Sequence, residues 1–225
     1  MHRVKGFAIA GAMALVVCAV AAQEADRKVA GGGITAKGWQ GKVDAGAAKA
    51  GKTVNDSKFM EMGGGLHMQI GPAAVYWNPA NTAKGDYTVK ATFKETKVTS
   101  DHPHPYGLFI GGSKLDTETP NLLYCVAYGS GDVLIRGFSD GKVMTVTKRA
   151  PNPAVNKAGA DGGVTQEIAW SVKGDKAECL VNGAVVASVP KAEIVGPGKL
   201  ESTDGIYGIR VSHNLDVMVT GLTKN

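Results

Sequence analysis

The chain has 225 residues, a formal charge of +5 and 31 glycines, and is 44% hydrophobic but only 6% aromatic. Its lysines and arginines alternate with acids, glycines and threonines along the whole length, without the aromatic-interleaved basic cluster that a nucleic-acid footprint needs. Glycine at this frequency also excludes an architecture of long helices.

Residues 1–22 read as a cleavable secretory signal peptide. Arg3 and Lys5 precede an apolar run from Phe7 to Val20, and the small residues Ala19, Ala21 and Ala22 stand just before Gln23 and Glu24. The run is about 14 residues long, short of the roughly 20 that a spanning helix needs, so no stable membrane anchor is expected after cleavage. Cys18 follows Val16 and Val17, where a lipid-attachment signal wants small residues, and this argues against lipidation. Cleavage removes Arg3 and Lys5 and no acid, taking the formal charge from +5 to +3. The expected location is secreted or periplasmic.

Residues 23–33 are polar and end in three glycines, which predicts a flexible lead-in. One domain is expected over 34–225, a size that sandwiches commonly reach. The stretch from Val43 to Lys58, rich in Ala, Gly, Lys and Asn, reads as a surface loop. Beyond Phe59 the pattern becomes short period-2 segments broken by turn residues. Tyr87, Val89, Ala91 and Phe93 alternate with Thr88, Lys90, Thr92 and Lys94, giving one apolar and one wet face. Leu122 to Tyr128 and Asp132 to Phe138 flank Gly129-Ser130-Gly131, and Ile168, Trp170 and Val172 alternate up to Gly174-Asp175. Asn182-Gly183 suits the two positive-φ positions of a type I′ turn, the strongest hairpin signal in the chain. Some ten to twelve such strands in one sheet would leave an apolar face in water. The fold class expected is therefore all-β, a two-sheet antiparallel β-sandwich or jelly roll.

The succession Tyr106-Gly107-Leu108-Phe109-Ile110-Gly111-Gly112, Tyr124 to Gly129, Asp132 to Arg136, Cys179 to Gly183 and Gly205 to Arg210 resembles a bacterial concanavalin A-like (laminin-G-like) sandwich. It is most similar to secreted domains related to the 3-keto-disaccharide hydrolase family. The likeness spans about residues 34 to 225, and it implies the fold and a saccharide ligand or substrate without assigning catalytic positions.

Two cysteines remain after cleavage, Cys125 and Cys179, each in a strand pattern. They are either a disulfide, permitted by an oxidising compartment, or two free thiols packed among Val and Leu. Their spacing fits neither Cys-x-x-Cys redox chemistry nor a zinc site.

Asp101-His102-Pro103-His104-Pro105-Tyr106 is the densest constellation. In an extended segment positions i and i+2 point the same way, and the prolines hold it extended. His102 and His104 are thus the metal candidates, and with Asp101 the catalytic ones, against a plain rigid loop. A third metal ligand would have to be His67 or His213. Asp116 and Glu118 lie between Gly111-Gly112-Ser113 and Pro120 and read as a solvated loop, without the opposed acid pair that glycosidases use. Calcium is the one cofactor considered, at Asp216 beside Asn214, a position that a simple turn also explains. Trp170 alternates with core residues, whereas Tyr76-Trp77 straddles two faces and should expose one ring. Trp77, His104, Tyr106 and Arg136 are the expected ligand-binding residues, with Arg210 on a similar strand.

These features predict a secreted, non-catalytic domain that binds carbohydrate or another extracytoplasmic ligand. Two alternatives stand beside it: a saccharide hydrolase or lyase of the 3-keto-disaccharide type, and a structural or interaction domain of the cell envelope. Oligomeric state is not legible.

Overall fold

The computed structural model describes residues 24–98 and 102–225, so the expected signal peptide, with Cys18, and the candidate Asp101 lie outside the described residues. In chain order the strands are β1 (Gly33–Ile34), β2 (Gln40–Val43), β3 (Lys58–Met62), β4 (Gly65–Gln69), β5 (Ala74–Ala83), β6 (Tyr87–Glu95), β7 (Tyr106–Ser113), β8 (Asn121–Ala127), β9 (Asp132–Ser139) and β10 (Lys142–Thr145). They continue with β11 (Ala150–Pro151), β12 (Val164–Lys173), β13 (Lys176–Val181), β14 (Ala184–Pro190), β15 (Gly205–Val211) and β16 (Asp216–Lys224). The first sheet has the order β1-β3-β4-β16-β6-β12-β13-β14, and the second β10-β9-β8-β7-β15-β5-β2, with β11 also on β9. The chain folds as the all-β two-sheet sandwich that its alternation predicts.

Local chemistry explains the connections. Asn182 and Gly183 have φ of 51° and 81°, the pair of positive values that a tight turn between β13 and β14 requires. The stretch expected as a loop carries a five-residue helix, Ala45–Lys49, and a 3-10 turn at Val54–Asp56. Neither is long enough to show an apolar period in sequence.

Both sheets send alternate residues into a shared core. From the first come Val89, Ala91, Phe93, Ile168 and Trp170, and from the second Tyr76, Leu108, Ile110, Leu123 and Ile209. The Trp170 indole donates from Nε1 to the Leu108 carbonyl at 3.1 Å, so a core aromatic also links the two sheets by a hydrogen bond. Cys125 on β8 and Cys179 on β13 are fully buried and joined as a disulfide, with Cα atoms 6.3 Å apart. The bridge therefore pins one sheet to the other.

Residues 24–27, expected in a flexible lead-in, have fixed partners. The Arg27 amide donates to Asn214 Oδ1 at 2.6 Å, and its guanidinium donates to the carbonyls of Ile70 (3.0 Å) and Leu215 (2.5 Å). Composition could not show this, because the partners lie far along the chain.

Glu95 ends β6 inside the sandwich, with Oε2 lacking any partner among the described residues. Burial, aided by the Asp216 carboxylate, pushes its carboxyl up to about 8 from an ordinary 4.5. The folded state thus favours the protonated acid. Its contribution to stability is fully present below about pH 4.5 and is lost as pH rises towards about 8. Between pH 5.5 and 7.5 the loss should be on the order of 2 to 3 kcal/mol. Urea unfolding at those two values should show that slope in the parent chain and not in Glu95→Gln. Parallel behaviour of the two proteins would refute it.

Candidate functional site

The outward face of the second sheet is the unusual surface. Along β8 every residue is buried, because Leu123, Cys125 and Ala127 enter the inter-sheet core while Leu122, Tyr124 and Val126 belong to a second apolar cluster on the opposite side. Val75, Trp77, Phe109, Leu134, Tyr128 and the half-buried Phe138 extend that cluster. Gly208 on β15 permits it, since a Cβ there would stand 2.7 Å from the Phe109 ring. The sheet thus carries a built outer layer, which side-chain alternation alone would assign to solvent.

Over this layer lies a cavity of about 380 Å³, whose lining includes Tyr124, Tyr128, Arg136, Arg149, Arg210 and His104. Its volume is within the range of small-molecule sites. Arg136 stands directly across from Tyr124 in the β8–β9 register, and its Nε is buried with no hydrogen-bond partner among the described residues.

The other two guanidiniums are braced. Arg210 makes a two-pronged pair with Asp44 at 2.5 and 2.6 Å and lies 5.3 Å from the Tyr124 ring centre and 5.4 Å from that of Phe138. Burial opposes its charge, but the Asp44 carboxylate outweighs burial and holds Arg210 further into its protonated range. Arg149 sits 4.0 Å over the Tyr128 ring and donates to Asp132 from Nε at 2.7 Å. Partial burial works against the Asp132 anion, yet Arg149 and Ser130 hold its carboxyl below the usual range. The floor of the cavity is aromatic and its walls carry fixed positive charge.

The residues singled out from sequence separate here. Arg136 and His104 meet at the cavity, and His102 lines it too. Tyr106 does not. It is fully buried between the sheets, its ring stacked 5.4 Å from Phe93, because the even positions at this end of β7 point inward. Its expected contact with ligand is therefore corrected. Trp77 does face away from Tyr76, but at 4% exposure it is covered within the outer cluster and is absent from the lining of this cavity. The exposed ring expected at that pair is not found, since the outer face has its own packing. Asp44, Arg149 and Asp132 were missed. Asp44 lies in a stretch without periodicity, and its only signal is a partner 166 residues away.

The histidines divide into two groups. His67 Nε2 lies 2.7 Å from Asp216 Oδ1, while Gln69 donates to Oδ2 at 3.2 Å and Arg27 approaches to 3.9 Å. The Asp216 oxygens are thus engaged by donors, which leaves them poorly disposed for the calcium considered there. Asn214 adopts φ of 58°, the turn conformation expected of it. His104 Nε2 is 3.0 Å from Glu24 Oε2, and the His104 and His213 ring centres are 4.1 Å apart. Burial, reinforced by His213, lowers the His104 pKa despite the Glu24 carboxylate. Asp116 and Glu118 sit in the loop after β7, where Lys42 pairs with Glu118 at 3.0 Å. That arrangement matches a solvated loop.

Among the described residues no helix is long and apolar enough to cross a membrane. No protein-family model and no curated protein sequence matches the chain. Solved structures do resemble it in fold. The carbohydrate binding module CBM66 from Bacillus subtilis is 11% identical, with a TM-score of 0.58 over 86% of this chain and 98% of that one. A Bacillus subtilis protein of unknown function with a galectin-like fold is 13% identical, also at a TM-score of 0.58, over 83% of this chain and 88% of the other. At such identities the likeness extends to the fold, a galectin-like β-sandwich of the concanavalin-like class.

Proposed function

We propose that this chain is a secreted or periplasmic, non-catalytic carbohydrate-binding domain, and that its ligand is an acidic saccharide held on the outer face of the second sheet. The observation that carries this is Arg136, whose buried Nε has no hydrogen-bond partner among the described residues, at a cavity floored by Tyr124 and Tyr128. A sugar offers an apolar C–H face to a flat ring, and a carboxylate substituent offers two oxygens to a guanidinium fork. Arg149 and Arg210, held by Asp132 and Asp44, add positive potential without needing to reorganise. The fold shared with a carbohydrate binding module supports the same reading.

The carboxylates nearest the cavity also favour binding over hydrolysis. The Asp132 carboxyl is held below its usual range, so it lacks the raised pKa that a general acid needs, and both Asp44 oxygens are taken by Arg210. A thermal-shift screen of neutral and acidic oligosaccharides, run with and without calcium, tests the proposal. Acidic sugars should raise the melting temperature of the parent chain, and Tyr128→Ala should weaken binding about tenfold through loss of one ring face. No shift with any sugar would overturn it, and turnover of a 3-keto-glycoside would favour the hydrolase.

A further inference from the structure

We propose that Glu24, His104 and His213 bind one divalent transition-metal ion of the zinc class at the rim of the arginine-lined cavity. Each side chain offers one donor atom, and the three atoms lie within 4.8 Å of one another. Tetrahedral zinc at about 2.0–2.1 Å from its ligands needs donors roughly 3.3 Å apart, so only a short contraction of the longer separations is required. Glu24 Oε2 and His104 Nε2 already stand at 3.0 Å.

The three residues come from separate places: the start of the described chain, the segment before β7 and the turn between β15 and β16. Their convergence is therefore a product of the fold and not of a local turn. Two imidazoles in edge contact at 4.1 Å cannot both be protonated without repulsion, and a shared cation gives their lone pairs a common partner. A second carboxylate, Asp26, lies 3.1 Å from His213 Nδ1 and can fix that ring as an outer partner.

Imidazole nitrogen also decides the class of metal. Calcium takes six to eight oxygens, whereas two nitrogens and a carboxylate suit zinc and its neighbours. The position is accessible. His104 lines the arginine cavity, and Glu24, Asp26 and His213 line an adjoining one of about 620 Å³, with Arg210 and Ser212 common to both. An ion held there keeps a coordination position open to water or a ligand hydroxyl, and ties residues 24–26 to the sandwich.

The test uses the untagged protein recovered from expression of the full chain, stripped with EDTA and titrated calorimetrically with zinc chloride, with calcium chloride as control. Zinc should bind at one per chain and calcium should not, and cobalt(II) should give the visible absorption of a low-coordinate, nitrogen-ligated site. His213→Ala should weaken zinc by more than about 100-fold. Should that variant fail to fold, Glu24→Gln, at an exposed position, should still weaken it at least about tenfold. Arg136→Met should bind zinc like the parent, which separates this site from the sugar site. Absence of saturable one-to-one zinc binding, or unchanged affinity in the folded His213 or Glu24 variants, overturns the proposal.

Discussion

Replacing Cys125 and Cys179 together by alanine should lower the unfolding free energy by about 4 kcal/mol and the melting temperature by roughly 10 °C. The bridge closes a loop of 54 residues between strands of opposite sheets. In the denatured chain it removes loop freedom, and in the native chain it fixes the sheets at the centre of the core. Two vacated sulfur positions in a close-packed interior add a smaller cavity term in the same direction. Melting the parent chain with and without a strong reductant should reproduce most of the shift. Coincident curves would mean that the native packing alone holds the sheets together.

The second large effect is expected at Asp44. Arg210 is 8% exposed and both its forks are taken by that carboxylate, so Asp44→Ala leaves an almost buried cation without its partner. Removing one member of such a pair typically costs 3–5 kcal/mol, and the lower end, about 3 kcal/mol, applies because the Asp44 side chain is 31% exposed. The paired change Asp44→Ala with Arg210→Met should recover most of that loss, because it removes the stranded charge and keeps apolar bulk against Tyr124 and Phe138. Denaturant midpoints of the two single variants and the double variant check this as a cycle. A double variant as unstable as Asp44→Ala would show that the carboxylate stabilises by another route.

Much of the sandwich was legible because its determinants are local. The β6 alternation from Tyr87 to Glu95 and the Asn182-Gly183 turn needed only neighbouring residues, and both took the conformations expected. Tyr106 and Trp77 show where that reasoning stops. Alternation separates two faces of a strand but does not say that both will be covered, and β8 is buried on both sides along its whole length. The binding face was half legible for a related reason. Arg136 and His104 stood out as unusual residues in strand and extended segments, whereas Asp44 and Arg149 acquire roles only through partners brought close by folding. The histidine pair at 102 and 104 was visible as a doublet, yet the structure joins His104 to His213 and Glu24.

The outer face of the second sheet is the centre of this account, and Arg136 is the residue on which it turns. The most direct measurement is an isothermal titration of an acidic oligosaccharide, one that raises the melting temperature, into the parent chain and into Arg136→Met. Saturable one-to-one binding is expected, weakening at least about tenfold in the variant, with unchanged melting temperature and with the neutral analogue insensitive to the substitution. Equal affinity of the two proteins for the acidic sugar would contradict it.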